Sequence, residues 1–380
     1  MTMPKTLPPA PTTGTPPHTV LVFQGGGALG AYQAGVFEAL DKQQLVPDWL
    51  VGTSIGAINA ALIAGNEPHR RLNSLRAFWD RVTIKGTAAQ ADGPFGPWLA
   101  GWRTWQTMLG GIPGFFAPRV PPQWDLARAA PLHELSFYDT APLRQTLLDL
   151  IDFDYLNQGH TRLTLCALNL GSGELARFDN RHGKQPVTPE HIMASGALPP
   201  GFAPVLIDGQ AYWDGGVYSN TPLDIVLDDA ERRDTLCFMV DLWDASEAAP
   251  ASLNDALRRL KDIQYASRTR EHLEDHERMQ NLRRAVRLLG EKLGPGDRQD
   301  PATRRLLALG CDHAIDIVHL VMKALPGEDS FRDIDFSHAT LGQRWAAGQH
   351  DGQRALRHRS WLTPPADHLG MRVHTLAQDD

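Results

Sequence analysis

The chain has 380 residues, of which 42% are hydrophobic and 21% charged, and its formal net charge is −7. This composition is typical of a globular protein large enough to bury a sizeable core. The negative charge and the lack of any zinc-finger or other nucleic-acid-binding motif argue against DNA or RNA as a partner. The three widely separated cysteines, Cys166, Cys237 and Cys311, indicate buried thiols in a reducing compartment.

The N-terminal residues 1–17 are rich in Pro and Thr, which predicts a disordered tail. They contain no apolar run typical of a secretory signal. No stretch of the chain approaches the roughly 20 apolar residues of a membrane-spanning helix. We therefore expect a cytoplasmic protein whose contact with membranes is peripheral.

Residues 19–64 read as two consecutive strand–turn–helix units. An apolar strand at 19–24 leads through a glycine loop into a helix, and the strand VPDWLVG leads through a second turn into the helix SIGAINAALIAG. Successive units of this kind predict an α/β fold with a mostly parallel sheet. Both turns, at 25–27 and 52–56, then open on one edge of the sheet, where open α/β sheets bind ligands.

The spacing Gly25-x-Gly27-x-x-Gly30 fits a dinucleotide-binding fingerprint, so a nucleotide-binding oxidoreductase is one alternative. Such a site also requires an acidic residue at the end of the second strand to hold the ribose hydroxyls. The chain has VGTSIG at that place instead. This difference argues against a dinucleotide cofactor.

The turn GTSIG, residues 52–56, is the one GxSxG pattern in the chain. Between an apolar strand and a small-residue helix, this pattern predicts a nucleophile elbow that exposes Ser54 in a strained conformation. Gly52 and Gly56 are expected to be glycine because a Cβ there would collide with neighbouring backbone. The alternative is an ordinary glycine-rich turn with an unreactive serine.

Residues 86–125 interleave Pro and Gly with aromatic side chains. One interpretation is an irregular layer that packs on the core. The other is a lid or interfacial patch that contacts acyl chains or a bilayer, since Trp favours positions at the boundary between water and an apolar phase. The aromatic residues concerned are Phe95, Trp98, Trp102, Trp105, Phe115, Phe116 and Trp124.

Asp214, at the end of a predicted strand in YWDGGVY, is the candidate base for Ser54. Gly215 and Gly216 allow a sharp turn there, and a partly buried carboxylate could accept the serine proton directly. Taken alone, this pattern also fits a common Asp-Gly turn. His319 is a weaker candidate because HAIDIVHLVM predicts that it lies inside a strand.

The rest of the chain adds helices to this core. Thr221 and Pro222 read as the N-cap and first residue of a helix after the DGG turn. From about residue 252 the pattern is helical and rich in charge, with faces expected to be solvated. Ser337 is the predicted N-cap of a further helix.

The loop from Gly25 to Ala28 directs backbone NH groups and the positive end of a helix toward Ser54. Such an arrangement suits an anion that forms during acyl transfer. The donors in this hypothesis are Gly25, Gly26, Gly27 and Ala28. They would form the oxyanion hole.

Taken together and in this order, GGGALG, GTSIG and DGG resemble the motifs of the patatin-like phospholipases over roughly residues 18–245. ASGALPPGFAPV and DGGVYSNTPL are also similar to the family. The resemblance implies a three-layer α/β/α fold and hydrolysis of lipid acyl esters by a Ser54–Asp214 dyad without histidine, metal or cofactor. Many members carry Arg or Lys where this chain has Leu29, so the loop of this chain would rely on its backbone NH groups.

We therefore expect a disordered tail at 1–17 and a catalytic domain at 18–250 with a lid-like insertion at 86–125. A largely helical extension at 251–380 resembles that of one bacterial branch of the family and has no assigned role. The expected partner is a lipid or another hydrophobic ester. The alternatives are a non-catalytic lipid-binding or scaffold protein and, less favoured, the nucleotide-binding oxidoreductase.

Overall fold

The computed structural model describes residues 17–85, 109–120, 127, 129–229, 231, 233–247, 249–266, 269–363 and 365–375. The predicted tail and most of the predicted aromatic insertion lie outside the described residues. Of the aromatic residues named above for that insertion, Phe115 and Phe116 lie within the described residues.

Eleven strands occur in the described residues. They are β1 (His18–Phe23), β2 (Trp49–Thr53), β3 (Ala117–Pro118), β4 (Tyr138–Asp139), β5 (Arg162–Asn169), β6 (Leu175–Asp179), β7 (Val205–Ile207), β8 (Gln210–Asp214), β9 (Thr235–Asp241), β10 (Ile315–Val321) and β11 (Met371–Thr375). The short strands β3 and β4 pair with each other, and the other nine form the central sheet.

The central sheet has the order β11-β10-β9-β1-β2-β5-β8-β7, and β6 pairs with β5 outside this path. The six strands from β11 to β5 are parallel, whereas β6, β7 and β8 form antiparallel pairs. Val22 in β1 is aligned with Val51 in β2 and Met239 in β9. The predicted, mostly parallel sheet is confirmed, and the carboxyl ends of β9, β1, β2 and β5 meet at one edge.

Twelve α-helices occur in the described residues. They are α1 (Ala31–Asp41), α2 (Ile55–Ala64), α3 (Arg71–Arg81), α4 (Ala141–Leu150), α5 (Phe153–Asn157), α6 (Pro189–Ser195), α7 (Asp224–Leu227), α8 (Leu253–Ala266), α9 (Thr269–Glu291), α10 (Pro295–Gln299), α11 (Pro301–Leu307) and α12 (His338–His358). None of them is long and apolar enough to cross a membrane.

Helices cover both faces of the sheet, because the buried strands alternate their apolar side chains between two cores. Leu21 and Leu50 belong to one core, with α1, α2, α3 and α12, whereas Val20 and Val51 belong to the other, with α7 and α9. Alternation of side chains along a strand produces this division. The three-layer α/β/α architecture is thus confirmed, and the three cysteines are buried and unpaired.

The C-terminal region is mostly helical, as predicted, and it also extends the central sheet through β10 and β11. Helix α12 begins after Ser337, the predicted N-cap, and packs along α1. The contact is close because glycines meet backbone: a Cβ on Gly35 would overlap the Trp345 carbonyl, and a Cβ on Gly348 would overlap the Tyr32 carbonyl. The N-terminal and C-terminal parts therefore share one sheet and one core.

Candidate active site

Ser54 lies in the turn between β2 and α2 with φ 56° and ψ −125°, a conformation that non-glycine residues rarely adopt. The turn has no room for side chains at its flanking glycines. A Cβ on Gly52 would lie 2.5 Å from the Gly56 carbonyl oxygen, and one on Gly56 would overlap the Phe23 carbonyl. The Ser54 amide donates to the backbone oxygen and the Oγ of Ser195, each at 3.0 Å. The chain thus holds Ser54 in a tight, strained turn.

Asp214 lies at the end of β8 and is 2% exposed. Strand β8 pairs with β5, which is next to β2, and this order brings Asp214 and Ser54 to the lining of one cavity. The Gly216 amide donates to Asp214 Oδ1 at 2.7 Å. Burial raises the pKa of Asp214 to about 7, although interactions with Ser54 and the Gly216 amide act in the opposite direction.

The glycine loop, residues 25–30, connects β1 to α1 beside Ser54. A Cβ on Gly25 would lie 3.1 Å from the Ser54 Cβ, and Gly27 has φ +55°. The Gly25 amide donates to the Asn220 carbonyl oxygen at 3.3 Å, so this NH group is already engaged. Ala28 is fully buried in the following 3₁₀ turn. Gly26 and Gly27 line the cavity next to Ser54.

The buried side chains of Gln24 and Trp243 support the glycine loop. The sequence pattern does not predict this role for either residue. Gln24 Oε1 accepts from the amides of Leu242, at 2.6 Å, and Trp243, at 3.1 Å. Trp243 Nε1 in turn donates to the Gly25 carbonyl oxygen at 2.8 Å. These contacts fix the loop to the end of β9, more than 200 residues later in the chain.

Asn220 also supports the loop, because its Nδ2 donates to the Gly25 carbonyl oxygen at 3.1 Å. This contact gives Asn220 a structural role. The predicted helix start at Thr221 is wrong: α7 begins at Asp224, with Leu223 as its N-cap. Thr221 Oγ1 instead accepts from Gln24 Nε2 at 2.9 Å and donates to Asp241 at 3.0 Å.

The histidines are placed elsewhere. His319 lies within β10, as predicted, and its Nε2 is 2.9 Å from Asp241 Oδ2. His191 caps α6, where its Nδ1 accepts from the Thr188 amide at 3.0 Å. None of the described residues that line the cavity at Ser54 is a histidine. The described carboxyl groups in this lining are those of Asp214 and Asp333.

A cavity of about 470 Å³ extends from Ser54 and Asp214. Its walls are largely apolar, and Phe115 and Phe116 from the predicted aromatic insertion belong to them. The rings of Phe115 and Phe202 pack edge to face, with centroids 6.1 Å apart. Further apolar wall residues are Ile55, Ile58, Leu143, Met193, Leu198, Ile334 and Phe336. A cavity of this kind suits a long hydrocarbon chain.

Three solved structures are similar to parts of this chain. VipD from Legionella pneumophila is 15% identical, with 90% of this chain and 67% of that chain covered and a TM-score of 0.38. Human GIVD cytosolic phospholipase A2 is 12% identical (90% and 60% covered, TM-score 0.37). ExoU of Pseudomonas aeruginosa, in complex with SpcU, is 16% identical (89% and 78% covered, TM-score 0.30). This chain spans about three fifths of the human enzyme, and these scores support no functional conclusion.

No curated protein matches the sequence. Models of two protein families do match it. The model described as patatin-like phospholipase covers residues 21–227, and the model described as patatin phospholipase covers residues 263–368. The first match alone includes more than half of the chain. The chain therefore belongs to the patatin-like phospholipase family.

Proposed function

We propose that the protein is a serine acyl hydrolase that cleaves fatty-acyl esters of lipids through a Ser54–Asp214 dyad. The observation that carries this proposal is that Ser54, in its strained turn, and the buried carboxyl of Asp214 line the same apolar cavity. A nucleophile and a base in one site are the minimum that acyl transfer requires. The apolar walls favour esters with long acyl chains over short ones.

In the first step, Ser54 Oγ attacks the ester carbonyl carbon while its proton passes to Asp214. The amides of Gly26 and Gly27 donate to the tetrahedral oxyanion, since the Gly25 amide is engaged with Asn220. When the intermediate collapses, the C–O bond to the alcohol breaks and the alcohol takes the proton from Asp214. An acyl ester of Ser54 remains.

In the second step, water attacks the acyl ester while Asp214 accepts a proton from it. Collapse of the second intermediate returns this proton to Ser54 and releases the fatty acid. The raised pKa of Asp214 suits both roles, because a group with a pKa near 7 can accept and return protons at neutral pH. The chain's own residues thus account for every proton in the cycle.

The test is intact-mass analysis after treatment with a fluorophosphonate probe, alongside turnover of a long-chain p-nitrophenyl ester. We expect one adduct on the wild-type protein and on the control Ser172→Ala, whose serine is exposed in the turn between β5 and β6 and does not line the cavity. Ser54→Ala should lose the adduct and at least about 10⁴-fold of turnover. A folded wild-type protein with neither adduct nor turnover would refute the proposal and favour a non-catalytic lipid-binding protein.

We also propose peripheral contact with lipid surfaces through α8. Its inner face carries the ion pair between Arg258 and Asp262, which are 3.3 Å apart, and Tyr265 near its end lines the cavity. A lipid surface against α8 would therefore lie beside the cavity. Four apolar side chains on the outer face are each more than half exposed: Leu253, Leu257, Leu260 and Ile263.

Co-sedimentation with phosphatidylcholine vesicles tests this contact. Leu257→Glu/Leu260→Glu should lower the bound fraction several-fold, because two charges would enter the apolar stripe. The control Leu306→Glu/Leu309→Glu changes two equally exposed leucines at and just after the end of α11 and should bind like the wild type. Equal binding by all three proteins would exclude α8 as the contact.

A further inference from the structure

The C-terminal region supplies four residues to the cavity at Ser54: Tyr265, Asp333, Ile334 and Phe336. The match to the patatin-like phospholipase model ends at residue 227, so these residues lie beyond it. Three of them belong to the segment 331–336, which we call the wall segment. The cavity is thus assembled from both parts of the chain.

The wall segment lies directly against the glycine loop. Its 3₁₀ turn, Arg332–Ile334, packs on the 3₁₀ turn Gly27–Gly30. A Cβ on Gly27 would overlap the carbonyl oxygen of Asp333. The wall segment therefore lies next to the proposed oxyanion donors and lines the same cavity as Ser54.

Buried ion pairs hold the wall segment in place. Arg332 is 2% exposed, and its guanidinium lies 2.7 Å from Asp262 and 3.2 Å from Glu328. Arg344 of α12 pairs with Glu328 at 2.8 Å and donates to the Arg332 carbonyl oxygen at 2.6 Å. Although Arg332 Nε is buried without a hydrogen-bond partner, the ion pairs of its two terminal nitrogens favour one arrangement of the backbone. The wall is thus preorganised before a ligand enters.

The two apolar side chains of the wall differ in their surroundings. Phe336 is 2% exposed and belongs to the core, where its ring stacks on Trp79 at 6.4 Å and lies 5.9 Å from Phe115. Ile334 lines the cavity and is only partly buried. A change of size at Ile334 would therefore alter the free space of the cavity without removing a core side chain.

We propose that the wall segment forms part of the acyl-binding site and that Ile334 is a specificity-determining residue for acyl chain length. This inference rests on the proposed hydrolase function. A larger side chain at this position would shorten the space open to the acyl chain. A smaller one would widen it.

The experiment compares kcat/KM for p-nitrophenyl butanoate and p-nitrophenyl palmitate. Ile334→Trp should lower the palmitate-to-butanoate ratio by about 10-fold or more, because overpacking of an apolar pocket rejects the longer chain. Ile334→Ala should keep or raise this ratio. Leu309→Trp, which adds the same ring at an exposed position outside the cavity lining, should leave it unchanged.

The rate of Ser54 labelling by a small fluorophosphonate shows whether Ile334→Trp keeps an intact dyad. Normal labelling with an unchanged ratio would overturn the inference and leave the hydrolase proposal standing. Calorimetric binding of octanoate and palmitate to Ser54→Ala gives the same comparison without turnover. If the wild type hydrolyses no ester, equal chain-length preference in Ser54→Ala and Ser54→Ala/Ile334→Trp would overturn the inference independently.

Discussion

The glycine loop at residues 25–30 and the wall segment at residues 331–336 lie against each other beside Ser54, but they are held there by different forces. The glycine loop packs so closely against its neighbours that a Cβ would overlap backbone at Gly27 and side chains at Gly25, Gly26 and Gly30. The wall segment is held by ion pairs between long side chains that come from distant helices. A loop that leaves no room for Cβ atoms requires glycine at fixed local spacing, whereas a wall held by side-chain ion pairs has no such local requirement.

The largest effect is expected where backbone meets backbone. Gly52→Ala places a Cβ 2.5 Å from the Gly56 carbonyl oxygen, so the turn has to open. We expect complete loss of hydrolysis and a fall of about 3 kcal/mol or more in the free energy of unfolding, measured by urea denaturation. A Gly52→Ala protein with near wild-type turnover would contradict the proposed elbow.

Gly342→Ala is the matched control in the C-terminal region. Gly342 lies in α12 with no other described atom within 4 Å of a Cβ built there. Alanine in an exposed helix position should raise the free energy of unfolding by about 0.5–1 kcal/mol. The reason is that glycine loses more conformational entropy than alanine when the chain folds. The same substitution thus acts in opposite directions in the two parts of the molecule.

Asp214→Asn should remove the base and keep the turn, because the amide oxygen can still accept from the Gly216 amide. We expect a loss of about 10³-fold or more in kcat/KM. In the wild type, kcat/KM should rise with pH and level off above about 7, where the carboxylate is ionised. A rate that is independent of pH between 5 and 9 would argue against Asp214 as the base.

The same substitution should stabilise the protein at high pH. Since burial raises the folded-state pKa of Asp214 to about 7, from about 4 in the unfolded chain, its contribution to stability is present below pH 4 and is lost as the pH rises through 7. Asp214→Asn should therefore exceed the wild type by up to about 4 kcal/mol at pH 8 and match it near pH 4. Urea denaturation at the two pH values measures this difference. A less stable variant at pH 8 would mean that burial of the carboxyl is not costly.

Much of the sheet could be predicted from the sequence because short, strict patterns mark it. The strands at 19–24 and around His319, and the helix after Ser337, follow from apolar runs and a capping residue. The expected contact between Ser54 and Asp214 follows from two glycine-flanked turns. In each case the backbone itself requires particular residue types within a few positions.

The supports of the site could not be predicted in this way. Gln24, Trp243 and Arg332 act through partners up to more than 200 positions away, and many residue types could occupy such positions without a local signature. Thr221 is the opposite case, because a local pattern predicted an N-cap that does not form. Its hydroxyl donates instead to Asp241, which is distant in sequence. The leucines of α8 predict a helix, but spacing alone does not show that their face is the exposed one.

The contact between α1 and α12 joins the two regions of the molecule. A Cβ on Gly348 would overlap the Tyr32 carbonyl, so Gly348→Ala should force the helices apart and lower the free energy of unfolding by about 2 kcal/mol, as overpacking does. Because α1 continues from the glycine loop and α12 holds the wall segment through Arg344, hydrolysis of palmitate should fall several-fold more than that of butanoate. Gly342→Ala, in the same helix, is the control, and parallel losses for both esters would show that the helix contact affects stability alone.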